Sequence, residues 1–221
     1  MSECVLKLDN VSYGYDNTRK ILDNVTYEFN KNVMYSIVGP SGSGKTTLLS
    51  LMGVLDNPKD GKILYQDKEI KKIGYTKYRR KIAFVFQSYN LINYMNGIEN
   101  VVAGMDISKS HKKERKQTAI KLLKDLGLTE EEMKRRVNRL SGGQQQRVAI
   151  ARALASETDL ILADEPTGNL DKQNAKEIIN IFKDLAKKAN KCVIVVTHSN
   201  QVSEMSDVVL QIDEGKLNKI L

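Results

Sequence analysis

With 221 residues, 41% of them hydrophobic and 28% charged, the chain can bury a substantial core and is composed like a globular domain, not a disordered or fibrous one. Its longest apolar runs, such as VIVV at 193–196, fall far short of the roughly 20 residues that a membrane-spanning helix needs. MSECVLKLDN has no signal-peptide profile, so a cytoplasmic protein is expected, with any membrane role arriving through a partner.

In chain order, β-type runs occur at VLKLDNV (5–11), VTYEF (25–29) and MYSIV (34–38), followed by a helix-like stretch at 45–55. IAFVF (82–86) is the next strand signal. From 88 to 155 such signals lapse. There HKKERKQTAIKLLKDLGL (111–128) spaces Ala119, Leu122, Leu123 and Leu126 as one helix face before the stop signal Gly127, and a further helix is predicted at 144–155. LILAD (160–164), a helix over 172–188, CVIVVT (192–197) and VVLQI (208–212) complete the chain. The alternation predicts an α/β domain, and the continuously apolar runs predict strands buried on both faces of a parallel sheet. One domain is expected over 1–221, with 1–87 and 156–221 forming the α/β core and 88–155 a helical sub-lobe inserted into it.

The net charge of +8 is concentrated in KYRRK (77–81), KSHKKERK (109–116) and KRR (134–136). A polyanion surface would look like this, but a lysine-rich solvated face is the plainer reading. Cys4 and Cys192 lie far apart in apolar, strand-like settings, and are read as reduced packing residues with no disulfide or metal framework.

GPSGSGKT (39–46) stands between the strand MYSIV and a helix, the context a phosphate-binding P-loop requires. Gly39, Gly42 and Gly44 let the backbone wrap phosphate oxygens with its N–H groups pointing inward. Lys45 reaches the β- and γ-phosphates, and the Thr46 hydroxyl suits Mg²⁺. Pro40, Ser41, Ser43 and Thr47 complete the stretch assigned to the nucleotide. Asp164 ends an apolar strand where open α/β sheets place their ligands, and is expected to hold Mg²⁺ through water. Glu165 follows and is assigned as general base for the attacking water. Gln87 and His198 also end apolar strands. Gln87 is a candidate Mg²⁺ or water ligand, and His198 a candidate hydrogen-bonder to the γ-phosphate.

A second phosphate-seeking feature lies a hundred residues on. In LSGGQ (140–144) Ser141 is a good helix N-cap, and Gly142 and Gly143 leave the first N–H groups bare at a positive helix end.

Taken together, these residues resemble the ATP-binding subunit of ABC transporters over essentially the whole chain. The order is an aromatic platform at Tyr15, the P-loop, Gln87, LSGGQ, LILADE (160–165), NLD (169–171) and His198. ADEPTGNLD and LSGGQQQRVAIARAL look most like the branch of macrolide-export, lipoprotein-release and bacitracin-resistance ATPases. KIGYTKYRRKIAFVFQSYNLINYMNGIENV and KCVIVVTHS are similar to a Vex-type peptide exporter ATPase. The resemblance implies a P-loop NTPase core with an antiparallel β subdomain and an inserted helical subdomain. It implies ATP and Mg²⁺ as cofactors, with adenine stacked on Tyr15, Tyr13 being the other aromatic candidate. It further implies that Ser141, Gly142, Gly143 and Gln144 cover the ATP of a second copy in a head-to-tail dimer, and that segment 88–105 passes motion to an integral-membrane permease. An exporter of peptide, antibiotic or lipid-linked substrate is expected; the alternative is a non-transport ABC ATPase regulating a membrane partner of cell-division type. Nucleic-acid ATPases of this superfamily carry long coiled-coil or zinc-binding insertions, which are missing here, so no nucleic-acid partner is expected. The family pattern departs at NKNVMYSIVG, where Asn30 or Asn32 must take the turn, and Thr46 replaces the commoner serine.

Overall fold

The computed structural model describes residues 3–15, 20–110, 113–156 and 158–221. Strands β1 (Cys4–Tyr13), β2 (Leu22–Asn30) and β3 (Val33–Val38) lead into helix α1 (Lys45–Met52). Then come β4 (Asp60–Tyr65), β5 (Lys68–Glu69), the short helices α2 (Ile70–Ile73) and α3 (Tyr75–Arg79), and β6 (Ile82–Val85). Helices α4 (Gly97–Ser108), α5 (Arg115–Asp125), α6 (Glu130–Lys134) and α7 (Gly142–Leu154) follow without an intervening strand. The chain closes with β7 (Leu160–Asp164), α8 (Lys172–Lys187), β8 (Cys192–Val196), α9 (Asn200–Met205), β9 (Val208–Asp213) and β10 (Lys216–Lys219).

Two sheets form. One is antiparallel, in the order β2-β1-β4-β5; the other runs β10-β9-β3-β8-β7-β6, parallel throughout except for the β10–β9 hairpin. The continuous apolar runs are explained by two packing layers. On β8, Cys192, Ile194 and Val196 join a core shared with β1, β2 and α1, while Val193 and Val195 join a second core shared with α4, α5, α7 and α8. On β7, Leu160 and Leu162 divide from Ile161 and Ala163 in the same way. A side-chain period of two, with both faces covered, favours apolar residues at every position of the strand interior, Ser36 of β3 being a buried exception.

Helix α8 turns Ala175, Ile178, Ile179, Phe182 and Ala186 inward at helical spacing, against the second layer. Helix α5 begins at Arg115 and ends one residue before Leu126, with Gly127 at φ +82 as the predicted stop. His111 and Lys112, at the start of the predicted 111–128 helix, lie outside the described residues. Helix α7 starts at Gly142, two residues before the predicted 144, because Ser141 caps it there. The turn before β3 is taken by Asn32, at φ +62, and not by Asn30, which stays in β2. Strands β4, β5 and β10 carry no clear strand signal in the sequence and were not predicted: β5 has two residues, and the exposed ends of β4 and β10 are polar. Among the described residues, no helix is long and apolar enough to cross a membrane.

Candidate nucleotide-binding site

Parallel pairing brings four strand ends to one edge. Ile37 of β3 stands beside Val196 of β8, Val196 beside Asp164 of β7, and Ala163 beside Val85 of β6. The loops leaving those ends carry the P-loop, Thr197 and His198, Glu165, and Gln87, so residues scattered over 160 positions become neighbours without any long-range side-chain search. A cleft of about 600 Å³ is lined by Tyr15, Ile21, Ser41, Gly42, Gly44, Lys45, Thr46, Thr47, Gln87, Asp164, Glu165 and His198. It shares Tyr15, Ile21, Ser41 and Gly42 with a neighbouring hollow of about 710 Å³, whose other walls are Lys20, Pro40, Ser43, Asp213, Glu214 and Gly215. Lys20, Ile21 and the β9–β10 turn were not foreseen; nothing in their local sequence marks them, and only the fold carries them to the P-loop.

At the start of α1, Gly44 has φ +102, and a Cβ there would stand 2.8 Å from the Ile21 side chain, so the sharp loop-to-helix turn requires glycine. Lys45 is buried, and its Nζ donates to the carbonyls of Gly39 and Pro40, both at 2.9 Å. Burial pushes its ammonium below the ordinary lysine value, against the opposing pull of Glu165 and Asp164. Burial likewise pushes Asp164 up, reinforced by the charge of Glu165 and opposed by Thr46 and Lys45. Thr46 Oγ1 lies 3.5 Å from Asp164 Oδ1. Among the described residues no group of three or more His, Cys, Asp or Glu converges. A hydroxyl, a carboxylate and the nearby Gln87 amide form a partial, all-oxygen set, which suits a hard cation that keeps waters and phosphate oxygens as its other ligands. Mg²⁺ is such an ion.

Glu165 has left-handed backbone, φ +44, with its N–H bonded to Val196 O at 2.9 Å. Its Oε2 accepts from the Thr197 hydroxyl at 3.2 Å and from the His198 N–H at 3.3 Å. His198 Nε2 stands 3.6 Å from Oε1. Tyr15 is 75% exposed at the cleft mouth, its hydroxyl 3.5 Å from Thr47 Oγ1, whereas Tyr13 is buried, donates to Asp56, and meets Tyr15 edge-on at 5.4 Å. The open aromatic face is therefore that of Tyr15.

Ser141, Gly142, Gly143 and Gln144 line neither part of this cleft. They build a capped helix start: Ser141 Oγ accepts from Gln144 N, and Gln144 Oε1 accepts from Ser141 N at 2.8 Å. Gln144 also donates to Glu132 at 2.6 Å. The glycine pair has a packing reason that the sequence did not reveal. A Cβ on Gly142 would stand 3.1 Å from the Tyr89 hydroxyl, and one on Gly143 would stand 2.8 Å from Asn174 Oδ1. Asn169 Nδ2 donates to Gln87 O at 3.4 Å, tying the NLD stretch to the loop after β6.

Known proteins resemble this chain in sequence and in fold. The family model described as ABC transporter matches residues 22–168. The uncharacterized ABC transporter ATP-binding protein YclH of Bacillus subtilis is 46% identical over 213 residues, covering 96% of this chain and 94% of that protein. The lipoprotein-releasing system ATP-binding protein LolD of Aquifex aeolicus is 39% identical, with 96% of each chain covered. A dimeric structure of MJ0796, a bacterial ABC transporter cassette, superposes with a TM-score of 0.86 at 37% identity, covering 98% of this chain and 99% of that one. A cleft at the carboxyl edge of a parallel sheet, lined by the P-loop, and likeness along nearly the full length lead to one assignment: the chain belongs to the ABC transporter family, as an ATP-binding, ATP-hydrolysing subunit.

Proposed function

We propose that this ATPase energises a membrane exporter of peptide, antibiotic or lipid-linked substrate, working as a head-to-tail pair bound to the inner face of the cell membrane through an integral-membrane permease. Likeness to LolD, and to a macrolide export ATP-binding/permease protein of Pasteurella multocida at 37% identity, supports the export reading. The observation that carries the paired mechanism is the position of LSGGQ: a capped, positive helix end with two glycines, lying outside the cleft of its own chain. A second protomer supplies the phosphate for which that end is suited.

In each cleft Tyr15 stacks on adenine, and the loop from Gly39 to Thr47 wraps the phosphates. Thr46, Asp164 and Gln87 hold Mg²⁺, which neutralises phosphate charge when bound. Lys45 moves its ammonium from the carbonyls of its own loop to the β- and γ-phosphates. Glu165 accepts a proton from the attacking water, and His198 donates to the γ-phosphate. Loss of that phosphate removes the contact shared with Ser141, Gly142, Gly143 and Gln144 of the other protomer, and the pair opens. Chain 1–221 is one such domain, 88–155 its helical subdomain, and segment 88–105, after Gln87, passes the movement to the permease.

Glu165→Gln tests the reading. The variant should bind ATP as the parent does, lose hydrolysis by about 100-fold or more, and run on gel filtration as an ATP-dependent dimer. A monomer at saturating ATP would rule out the shared site.

A further inference from the structure

Thr197 follows β8 and is fully buried. Its N–H donates to Ile37 O at 3.1 Å, which locks the backbone to the strand that feeds the P-loop. Its hydroxyl oxygen accepts the N–H of Ser199 at 3.0 Å. A peptide N–H can only donate, so the single hydroxyl proton is left for Glu165 Oε2, 3.2 Å away. The His198 N–H meets that same oxygen at 3.3 Å. Two donors therefore converge on one carboxylate oxygen. The other, Oε1, is buried and has no hydrogen-bond partner among the described residues, with His198 Nε2 at 3.6 Å.

We infer that Thr197 is a positioning residue for hydrolysis: its hydroxyl pins Oε2 so that Oε1 is presented to the attacking water. The final torsion of a glutamate side chain is broad and two-fold. The His198 N–H alone, at 3.3 Å, is a single long anchor about which the carboxylate can still swing; the buried hydroxyl is the second point that stops it. With Oε2 held, the orphan Oε1 is the lone-pair site left to receive a proton. Glu165 already emerges from left-handed backbone, so its Cα–Cβ direction is set from one end and its oxygen from the other. The inference rests on Glu165 being the general base, and it adds what aims that base.

Thr197→Val keeps the branched shape and removes the donor. Steady-state ATPase of this variant should show kcat lowered about 10- to 100-fold, as expected when a reacting group loses its alignment, with KM and equilibrium ATP affinity changed less than about two-fold. Thr197→Ser, which retains the hydroxyl, should recover most of the rate. If the valine disturbs the fold, as judged by thermal unfolding, Thr197→Ala against Thr197→Ser gives the same comparison. Adding Thr197→Val to Glu165→Gln should lower the residual rate no further, because the hydroxyl acts through that carboxylate. A wild-type kcat in Thr197→Val beside an inactive Glu165→Gln overturns the inference alone. So does a serine variant as slow as the valine one, or a full additive loss in the double variant. Wild-type turnover in Glu165→Gln overturns the base itself, and the inference with it.

Discussion

Gly143 is the second residue of α7, and the place where its Cβ would be lies 2.8 Å from Asn174 Oδ1 and 3.1 Å from Asn174 Cγ. Asn174 has little room to withdraw, because its Nδ2 donates to Asp171, whose carboxylate also caps α8 through the N–H groups of Gln173 and Asn174. A carboxylate only accepts, so the amide nitrogen must face Asp171 and the amide oxygen must face Gly143. Alanine at 143 would gain up to about 1 kcal/mol of helix propensity, but it would push Asn174 off the Asp171 carboxylate and strain the contact between α7 and α8. We expect Gly143→Ala to be destabilised by about 1 kcal/mol net, with Tm lowered by roughly 2–4 °C in calorimetry; a variant as stable as the parent would show that α8 yields freely. Half of this was legible. Ser141 as a cap follows from residue type alone, and the structure bears it out. The crowding at Gly142 and Gly143 was not, because Tyr89 and Asn174 lie tens of residues away in sequence and only the packing of α7 brings them close. Tyr13 and Tyr15 are a similar case: Tyr13, the last residue of β1, is buried with its hydroxyl on Asp56 after α1, whereas Tyr15, two residues beyond the strand, stands exposed.

Helix α7 also anchors the loop that follows β6. Tyr89 and Asn90 both have left-handed backbone, φ +61 and +48, which asparagine adopts readily but which costs a tyrosine about 1–2 kcal/mol. The Arg152 guanidinium holds them, donating to Tyr89 O at 2.9 Å and Asn90 O at 2.6 Å. On its other side Gly104 of α4 lets the helices approach, since a Cβ there would stand 2.7 Å from Arg152 Cγ. Arg152→Met would keep most of the packed stem and remove two charge-assisted hydrogen bonds. We expect a loss of about 2–3 kcal/mol, read as Tm lowered by roughly 4–10 °C, with faster proteolysis between Phe86 and Leu91. Unchanged stability would mean that Tyr89 and its loop need no brace. At this scale the regular elements were the readable ones. Helix α8 advertised itself by its 3.6-residue period, and β7 and β8 by unbroken apolar runs. Strands β4 and β10 escaped because each has exposed polar positions and no alternation long enough to stand out, their pairing being supplied by β1 and β9.

For the whole molecule, the division into a parallel sheet with two apolar layers followed from the strand pattern, whereas the separate antiparallel sheet came from likeness to a family and not from the residues themselves. The six-stranded sheet carries the chemistry at a single edge. The paired mechanism makes a prediction at this scale: the ATPase rate per protomer should fall as the protein is diluted, because each cleft then waits for a second chain, and phosphate release measured across a hundredfold concentration range would display it. A rate per protomer independent of dilution would describe a self-sufficient enzyme. Lys45 adds a consequence. Its ammonium is tethered to the carbonyls of Gly39 and Pro40, inside the curve of its own loop. The loop is braced by the same cation that is proposed to face the phosphates; on that proposal, nucleotide entry would be an exchange of ligands on one nitrogen and not the ordering of a slack segment, which would cost about 1–2 kcal/mol for every residue fixed. Capture of fuel would then ask one ammonium to trade two carbonyl oxygens for phosphate, a local event within a loop already shaped.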